Sequence, residues 1–315
     1  MEAMIKRCAG LDVHQETVVA CALTGELDKK PVKTIETFPT TTIGLLALND
    51  WLSKLEVTDA VMESTGVYWK PVWNILEDSF NLVLANARHV KNVPGRKTDV
   101  KDAEWLAKLL RCGLIESNFV PPEEIRDLRD LTRYRKKLIH HRTSERNRIH
   151  KILQDANIKL TSVFSDIFGV SGRRILEAII DGEKIDAIDL QTMVDGRIKA
   201  SLEEIAQAIN GRIRHHHRDM LRYHWNHMAY LEKSIEELEN QIDAVLKPYR
   251  KEIELLDTIP GVNKNAAATF IAEMGIDMSV FKSAKHFASW AGACPGNYES
   301  AGKKKRVKQL KEIKY

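Results

Sequence analysis

Four acidic residues stand where strands are expected to end and a helix to begin, and they could do chemistry together. Asp12 closes an apolar segment near the N-terminus, and Glu63 follows another short apolar segment. Asp99 and Asp102 are three residues apart at the expected start of a helix, so they share one helix face. Converging carboxylates repel one another unless a cation holds them, and hard oxygen ligands suit Mg²⁺. Such a site would polarise a phosphate ester and activate its nucleophile.

The same residues also have a purely structural interpretation. Asp99 suits a helix N-cap, and Asp102 suits a favourable charge in the first helical turn. Asp12 and Glu63 meet only if their strands are neighbours in the sheet. The residue pattern alone leaves both interpretations open.

The elements that would position the acids predict an α/β fold over residues 1–120. Three strands followed by alternating helices and strands favour a mixed sheet covered by helices. A strand order of 3-2-1-4-5 would bring the ends that carry Asp12 and Glu63 together. Strands are predicted at 6–13, 17–23, 33–38, 59–62 and 81–85, and helices from Thr41 or Thr42, at 67–78, and from Thr98 or Asp99 to Gly113.

Residues 121–250 are predicted to form a helical connector. Pro121 and Pro122 mark its start, and a long basic helix with a weak apolar stripe follows. A later helix could pair with this basic helix or with a second chain, because its apolar positions recur at spacings of three and four, as in a coiled coil. Those positions are Leu221, His224, Met228, Leu231, Ile235, Leu238, Ile242 and Val245. Residues 157–210 have no functional interpretation.

Residues 251–315 are predicted to form a small α-helical C-terminal domain. The run Ile259–Val262 contains a Pro-Gly turn between two helical segments, a pattern typical of a helix-hairpin-helix. Such a turn offers backbone N–H groups to a phosphate. A plain helical hairpin is the alternative.

Charge is concentrated in two segments, although the net charge is only +4. Residues 125–151 hold ten Lys or Arg and three acids, and residues 303–315 hold seven basic residues and one acid. One such run is typical of a solvated helix face or tail, but two favour nucleic acid as a partner.

The composition is that of a globular protein, with 43% hydrophobic and 29% charged residues. No apolar run approaches the ~20 residues that span a bilayer, so no membrane segment is expected. The N-terminus does not resemble a secretory signal, and four scattered cysteines predict neither a zinc site nor a disulfide framework. A cytoplasmic location is predicted.

Three blocks and a C-terminal stretch resemble the motifs of the DEDD transposases of the IS-one-ten (IS110) insertion-sequence family. The blocks are Gly10–His14, Met62–Trp69 and Gly95–Ala103, and the stretch is Phe287–Gly296 followed by Glu299–Lys303. The resemblance covers nearly the whole chain. It implies an RNase H-like (RuvC-type) metal-binding domain at 1–120, a helical coiled-coil connector at 121–250 and a C-terminal transposase domain at 251–315.

The resemblance also implies roles for individual residues. Asp12, Glu63, Asp99 and Asp102 correspond to the tetrad that binds a divalent metal, Mg²⁺ or Mn²⁺. Ser300 corresponds to a serine nucleophile that forms a transient protein–DNA link. Family members recombine DNA under the guidance of a bridge RNA and assemble across protomers. The implied partners are therefore DNA, a bridge-type non-coding RNA and further copies in a dimer or tetramer, in the bacterial cytoplasm and at the nucleoid during action.

Basic side chains of the connector and the C-terminal segment are predicted to contact nucleic acid. His14 is expected to be structural or to face a phosphate, and His215–His217 are expected to be solvated or to face RNA. The predicted contacts are Arg126, Arg129, Arg133, Arg135, Lys136, Lys137, Arg142, Arg146, Lys264, Lys303, Lys304 and Lys305.

The chain departs from the family pattern after Ser300. The run Lys303–Tyr315 lacks the Gly-Asn pair and the Arg-bearing helix that follow the serine in the family. This departure predicts a truncated or frameshifted, incomplete C-terminal domain and weak or absent recombination. Two alternatives stay open: a RuvC-like metal-dependent structure-specific nuclease that does not use Ser300, and an inactive copy that only binds nucleic acid. A sugar kinase is excluded, because no Gly-rich phosphate turn follows Asp12.

Overall fold

The computed structural model describes residues 2–64, 66–86, 90, 102–115, 117–195, 198–292, 299–300 and 303–304. The chain divides into two compact units. The first unit comprises Met1–Val120 and Ser279–Tyr315, and the second comprises Pro121–Met278. The expected boundary after residue 250 therefore falls inside the second unit, because residues 251–278 pack with the long helices that precede them.

The first unit is built on a mixed six-stranded sheet with the order β3-β2-β1-β4-β5-β6. The strands β1, β4 and β5 run parallel, and the other neighbours pair antiparallel. The predicted α/β character and mixed sheet are confirmed, with a short sixth strand added at one edge. The elements are β1 (Arg7–Val13), β2 (Thr17–Thr24), β3 (Val32–Pro39), α1 (Thr42–Lys54), β4 (Asp59–Glu63), α2 (Trp69–Leu76), β5 (Asn81–Ala85), α3 (Asp102–Arg111) and β6 (Ser117–Asn118).

Both faces of this sheet are covered by helices, which follows from the alternation of side chains along each strand. Leu11 and Met62 face the cluster formed with α1 and α2. Cys8 and Val61 face the opposite cluster, which α3 covers. Successive side chains of β1 and β4 therefore point to opposite faces of the sheet. The face on which Asp12 or Glu63 lies follows from counting back along its strand to a residue of known face.

Arg111 fixes the end of α3 to the sheet. Its buried guanidinium donates to the carbonyl oxygens of Lys6 at 2.9 Å and Glu26 at 2.8 Å. These acceptors lie before β1 and in the turn between β2 and β3. Arg111 thus connects the end of α3 to the segment before β1 and to the β2–β3 turn, which holds the helix against the sheet.

The second unit is helical. Its two longest helices, α4 and α8, run antiparallel, since Ile125 and Leu128 pack with Ile242 while Leu138 packs with Leu231 and Leu238. The apolar seam of α8 thus pairs with the basic helix of the same chain. The helices are α4 (Glu123–Asp155), α5 (Val170–Asp181), α6 (Ala187–Met193), α7 (Leu202–Ile209), α8 (His215–Val245), α9 (Arg250–Asp257) and α10 (Lys264–Met274).

Residues 157–210, for which the sequence predicts no function, cover one end of the α4–α8 pair. Ile175 of α5 and Ile205 of α7 are fully buried in one cluster with Ile149 of α4 and Leu221 of α8. This segment therefore builds the largest apolar core of the helical unit. None of the helices in the described part of the chain has both the length and the apolarity that a bilayer crossing requires.

Candidate active site

Asp12 and Glu63 lie at the carboxyl ends of two neighbouring parallel strands, Asp12 one residue before the end of β1 and Glu63 as the last residue of β4. Gly10 of β1 lies opposite Val61 of β4, and Leu11 lies opposite Met62. Asp12 and Glu63 each follow by one residue, so they stand side by side at the carboxyl edge of the sheet. Since side chains alternate, both belong to the face of Gly10 and Val61, which α3 covers. The Asp12 side chain is 28% exposed and is therefore reachable from solvent.

The helix α3 brings a third carboxylate to the same edge. Its first residue is Asp102, and its first turn lies directly over β1. A Cβ atom on Gly10 would lie 2.1 Å from the Ala103 carbonyl oxygen and 2.5 Å from the Ala107 nitrogen. The missing side chain of Gly10 thus permits the close approach that places the start of α3 beside Asp12.

These acids fit a divalent cation by the chemistry of their donor atoms. Carboxylate oxygens from two strand ends and a helix start are the hard ligands that Mg²⁺ and Mn²⁺ accept. Within the described ranges, no group of three His, Cys, Asp or Glu side chains is gathered closely enough to hold an ion. The fourth predicted ligand, Asp99, lies outside the described residues. The structure therefore places Asp12 and Glu63 on neighbouring strand ends and Asp102 at the start of the helix that lies over β1, and a metal site at these residues stays a prediction.

His14 contacts the candidate site directly. Its Nε2 lies 3.2 Å from Oδ2 of Asp12, and the ring is exposed. The imidazole can orient the Asp12 carboxylate while leaving the second oxygen for another contact. The expectation that His14 is structural or faces a phosphate stays a prediction.

We expect Gly10→Ala to destabilise the first unit by about 1–3 kcal/mol, because the new methyl group overpacks the α3 contact. Urea unfolding measures this change. Gly169→Ala in the second unit is the comparison, since its Cβ would meet its nearest neighbour at 3.3 Å instead of 2.1 Å. Its loss should be the smaller one and should come mainly from alanine at the N-cap of α5. Equal stability of Gly10→Ala and the wild type would show that the close contact between β1 and α3 does not require glycine at position 10.

Ser300 lies on a short hairpin of the first unit. The strand β7 (Glu299–Ser300) pairs antiparallel with β8 (Lys303–Lys304), so Ser300 lies opposite Lys303. A helix of the same unit, α11 (Ala284–Trp290), precedes this hairpin. The structure describes the backbone of these two strands, and Lys305 lies outside the described residues.

Two of the predicted nucleic-acid residues bind the C-terminal end of α10. Arg129 donates to the carbonyl oxygens of Ala272 at 3.0 Å and Glu273 at 2.8 Å. Arg133 donates twice to the Glu273 carboxylate, with both distances 2.7 Å. Two-point guanidinium–carboxylate pairs of this kind are strong and directional. These side chains therefore connect α4 to α10.

Other predicted contact residues also have partners within the helical unit. Arg135 donates to Glu239 of α8 at 2.8 Å, and Lys264 pairs with Asp243 at 2.8 Å. Arg146 lies 3.6 Å from Glu232 and stacks over the Phe168 ring at 4.8 Å. The sequence could not reveal these partners, because most of the acids lie about a hundred residues away along the chain.

The remaining predicted basic positions of α4 differ in their surroundings. Arg126 donates to the Pro121 carbonyl oxygen at 3.1 Å. Lys136 and Lys137 are exposed, and Arg142 has a buried Nε with no hydrogen-bond partner among the described residues. The nucleic-acid contacts of this helix stay a prediction.

A buried acid that the sequence did not single out joins α4 to α8. Glu145 is 2% exposed. His224 Nδ1 lies 2.6 Å from its carboxylate, His227 Nδ1 lies 3.2 Å away, and Arg148 pairs with it as well. Burial acts to raise the pKa of Glu145, but the His224 hydrogen bond and the electrostatic interactions with Arg148, His224 and His227 hold the pKa below its ordinary value.

We expect Glu145→Gln to lower the free energy of unfolding at neutral pH by about 2 kcal/mol, since it leaves His224, His227 and Arg148 without the buried carboxylate that they share. Because the pKa of Glu145 is lower in the folded than in the unfolded protein, its ionised carboxylate stabilises the fold at pH values above the unfolded-state pKa of about 4.3. This contribution to the free energy of unfolding is lost as the pH falls through the folded-state pKa. The difference between the two proteins should therefore shrink below about pH 4. Urea unfolding at several pH values measures it.

Glu237→Gln is the control for this prediction, because Glu237 is exposed and lies 3.8 Å from Lys233. Its effect should stay below about 0.5 kcal/mol. A pH-independent difference for Glu145→Gln would show that the lost stability comes from packing and not from the charge.

The three consecutive histidines at the start of α8 divide into different environments. His215 is exposed and pairs with Asp219 at 2.7 Å. His217 is buried and contacts Asp155 at 2.9 Å, so the expectation that all three are solvated or face RNA is wrong for His217. The reason is that His217 lies on the face of α8 that packs against the end of α4.

Comparison with known families gives two matches at opposite ends of the chain. Residues 9–158 match the model of the DEDD transposases of the IS110 type, described as a transposase. Residues 253–313 match the model described as the transposase IS116/IS110/IS902 family. The first match includes Asp12, Glu63, Asp99 and Asp102, and the second includes Ser300. A search of curated proteins gives no match.

Proposed function

Since the chain belongs to the IS110 family of transposases, which act on DNA, we propose that it cleaves and rejoins DNA strands at a divalent-metal site. The observation that carries this proposal is the position of Asp12 and Glu63 on adjacent strand ends, with Asp102 at the helix start above them. The proposal takes Asp99 as the fourth ligand and Mg²⁺ as the metal.

The residues of this chain divide the work of the site. Asp12 and Glu63 are fixed by the sheet, which gives two ligands a rigid separation. Asp102 comes from α3, whose first turn also favours nearby negative charge. A bound divalent ion supplies Lewis-acid polarisation of the scissile phosphate. His14 holds the Asp12 carboxylate in place through its 3.2 Å contact.

The proposed nucleophile is Ser300. Its Oγ forms a bond to the phosphorus, the bond from phosphorus to one deoxyribose oxygen breaks, and that oxygen leaves as a hydroxyl with the proton from the serine. The phosphodiester energy is kept in the serine–phosphate link, so a DNA hydroxyl can reverse the step and rejoin a strand. The family match at 253–313 supports this role.

Finer features belong to the same proposal. The strand order β3-β2-β1-β4-β5 supports an RNase H-like, RuvC-type first unit. The turn between α9 and α10, with Gly261 at φ 87° and Asn263 capping α10, supports a helix-hairpin-helix that contacts DNA backbone. Guidance by a bridge-type RNA and assembly as a dimer or tetramer are proposed from the family resemblance.

A covalent-trapping assay tests the proposal. The protein is mixed with Mg²⁺, DNA that carries the element ends and RNA transcribed from the element, and protein-linked DNA is sought after denaturation. We expect an adduct with Mg²⁺ and none with a chelator. Metal-dependent cleavage without an adduct would favour the nuclease alternative. Bound nucleic acid with neither cleavage nor adduct would contradict the enzymatic proposal.

A further inference from the structure

Two large aromatic side chains are exposed on α8. Tyr223 is 71% exposed and Tyr230 is 65% exposed. They are seven residues apart, so they lie on one face of the helix at a separation of about 10 Å along its axis. They lie outside the buried seam of Leu221, Met228 and Leu231, which already packs against neighbouring helices. Packing within the unit therefore does not account for them.

The two tyrosines lie beside cations of α4. His227 stands between them on the same face, half-exposed, and its Nδ1 lies 3.2 Å from the Glu145 carboxylate. Arg148 pairs with that same carboxylate and is also half-exposed. Because His227 and Arg148 share one partner, the tyrosine side of α8 borders the Arg148 side of α4.

A cleft with two basic side chains and one carboxylate continues this surface. It has a volume of about 230 Å³, and its lining includes Lys151 and Asp155 of α4, Arg214 and His216 at the start of α8, and Met220. Met220 is one turn before Tyr223, so the cleft and the tyrosines are contiguous. The cleft's carboxylate, Asp155, is engaged by His217 at 2.9 Å and by Arg214 at 3.5 Å.

We propose that this surface, the tyrosine face of Tyr223, His227, Tyr230, Arg148, Lys151 and Arg214, binds a single-stranded segment of DNA. Exposed tyrosines stack on bases without regard to sequence, and interleaved cations follow the phosphates. Intact duplex does not present its base faces, so the surface selects unpaired strands. This inference extends the proposed function by assuming DNA as the partner, but it does not involve the acids or Ser300.

Fluorescence anisotropy with a labelled oligothymidylate of about twenty nucleotides tests this inference. The protein carries Asp12→Asn and the buffer contains a chelator, so failure of the metal proposal cannot affect the result. We expect Tyr223→Ala and Tyr230→Ala each to weaken binding about tenfold, and Tyr223→Phe to keep the affinity within about twofold. Lys151→Ala should weaken binding and reduce its salt dependence.

Tyr134 supplies the matched control. It is 53% exposed and lines a separate groove of the α4–α8 pair together with Asp127 and Asp130, whose negative charge disfavours DNA. Tyr134→Ala should therefore bind like the parent. Circular dichroism checks that each variant keeps its helices.

Four outcomes would overturn the inference. The first is unchanged affinity for the oligothymidylate in the Tyr223→Ala, Tyr230→Ala double variant. The second is an equal loss of affinity for duplex DNA in that variant. The third is tighter binding of a matched RNA that the same substitutions abolish. The fourth is a change in sedimentation of the double variant without DNA, which would make a second copy of the chain the occupant of the tyrosine face.

Discussion

Asp12→Asn should abolish metal-dependent DNA cleavage, with a rate loss on the order of 10³-fold. The amide keeps the shape of the side chain but removes the negative charge that a divalent ion requires from its ligand. Metal catalysis supplies several kcal/mol of transition-state stabilisation, and each ~1.4 kcal/mol corresponds to a factor of ten in rate. The measurement is the rate of strand cleavage on element-end DNA at saturating Mg²⁺.

Asp59→Asn is the control for this substitution. Asp59 begins β4 at the opposite end from Glu63, and Thr58 Oγ1 donates to its carboxylate at 2.6 Å. Asp59 lies on the same strand as Glu63, and it has the residue type and the partial exposure of Asp12. It lies at the other end of the sheet from both acids. Cleavage by Asp12→Asn at the wild-type rate would show that Asp12 is not a metal ligand. An equal loss of cleavage rate in Asp59→Asn would indicate a defect in folding.

The position of the acidic edge could be predicted only on the condition that β1 and β4 are neighbours, although β2, β3 and α1 lie between them in the chain. The structure pairs β1 and β4 in parallel, so the strand ends that carry Asp12 and Glu63 lie at the same edge of the sheet. The close packing of α3 on β1 could not be predicted in the same way. It requires glycine at position 10, because a Cβ atom there would lie 2.1 Å from the Ala103 carbonyl oxygen. In a sequence, a glycine within a strand is equally compatible with a bulge or a tight bend.

The basic helix shows the opposite situation. Ten cations in one segment predicted a nucleic-acid surface, yet Arg129, Arg133 and Arg135 bind acceptors on α8 and α10. A count of basic residues along the sequence includes arginines that hydrogen-bond to acceptors far away in the same chain. The contacts predicted on this helix stay a prediction, and the tyrosine face is a second candidate surface.

Ser300→Ala should eliminate the covalent protein–DNA adduct while leaving metal binding intact. Without the hydroxyl there is no atom to form the bond to phosphorus, so the yield should fall by about 10³-fold or more. The readout is protein-linked DNA after denaturation, with metal affinity measured by calorimetry on the same preparation. Ser289→Ala is the matched control, because Ser289 is an exposed serine of α11 in the same C-terminal stretch.

Comparison of the two variants separates the mechanisms. If Asp12 and Ser300 act in one step, the double variant should be no slower than the slower single variant, because both substitutions remove the same transition state. A serine-independent nuclease would behave differently. Ser300→Ala would then cleave at the wild-type rate while Asp12→Asn would not, and the role of Ser300 as the nucleophile would be wrong even though the metal site stands.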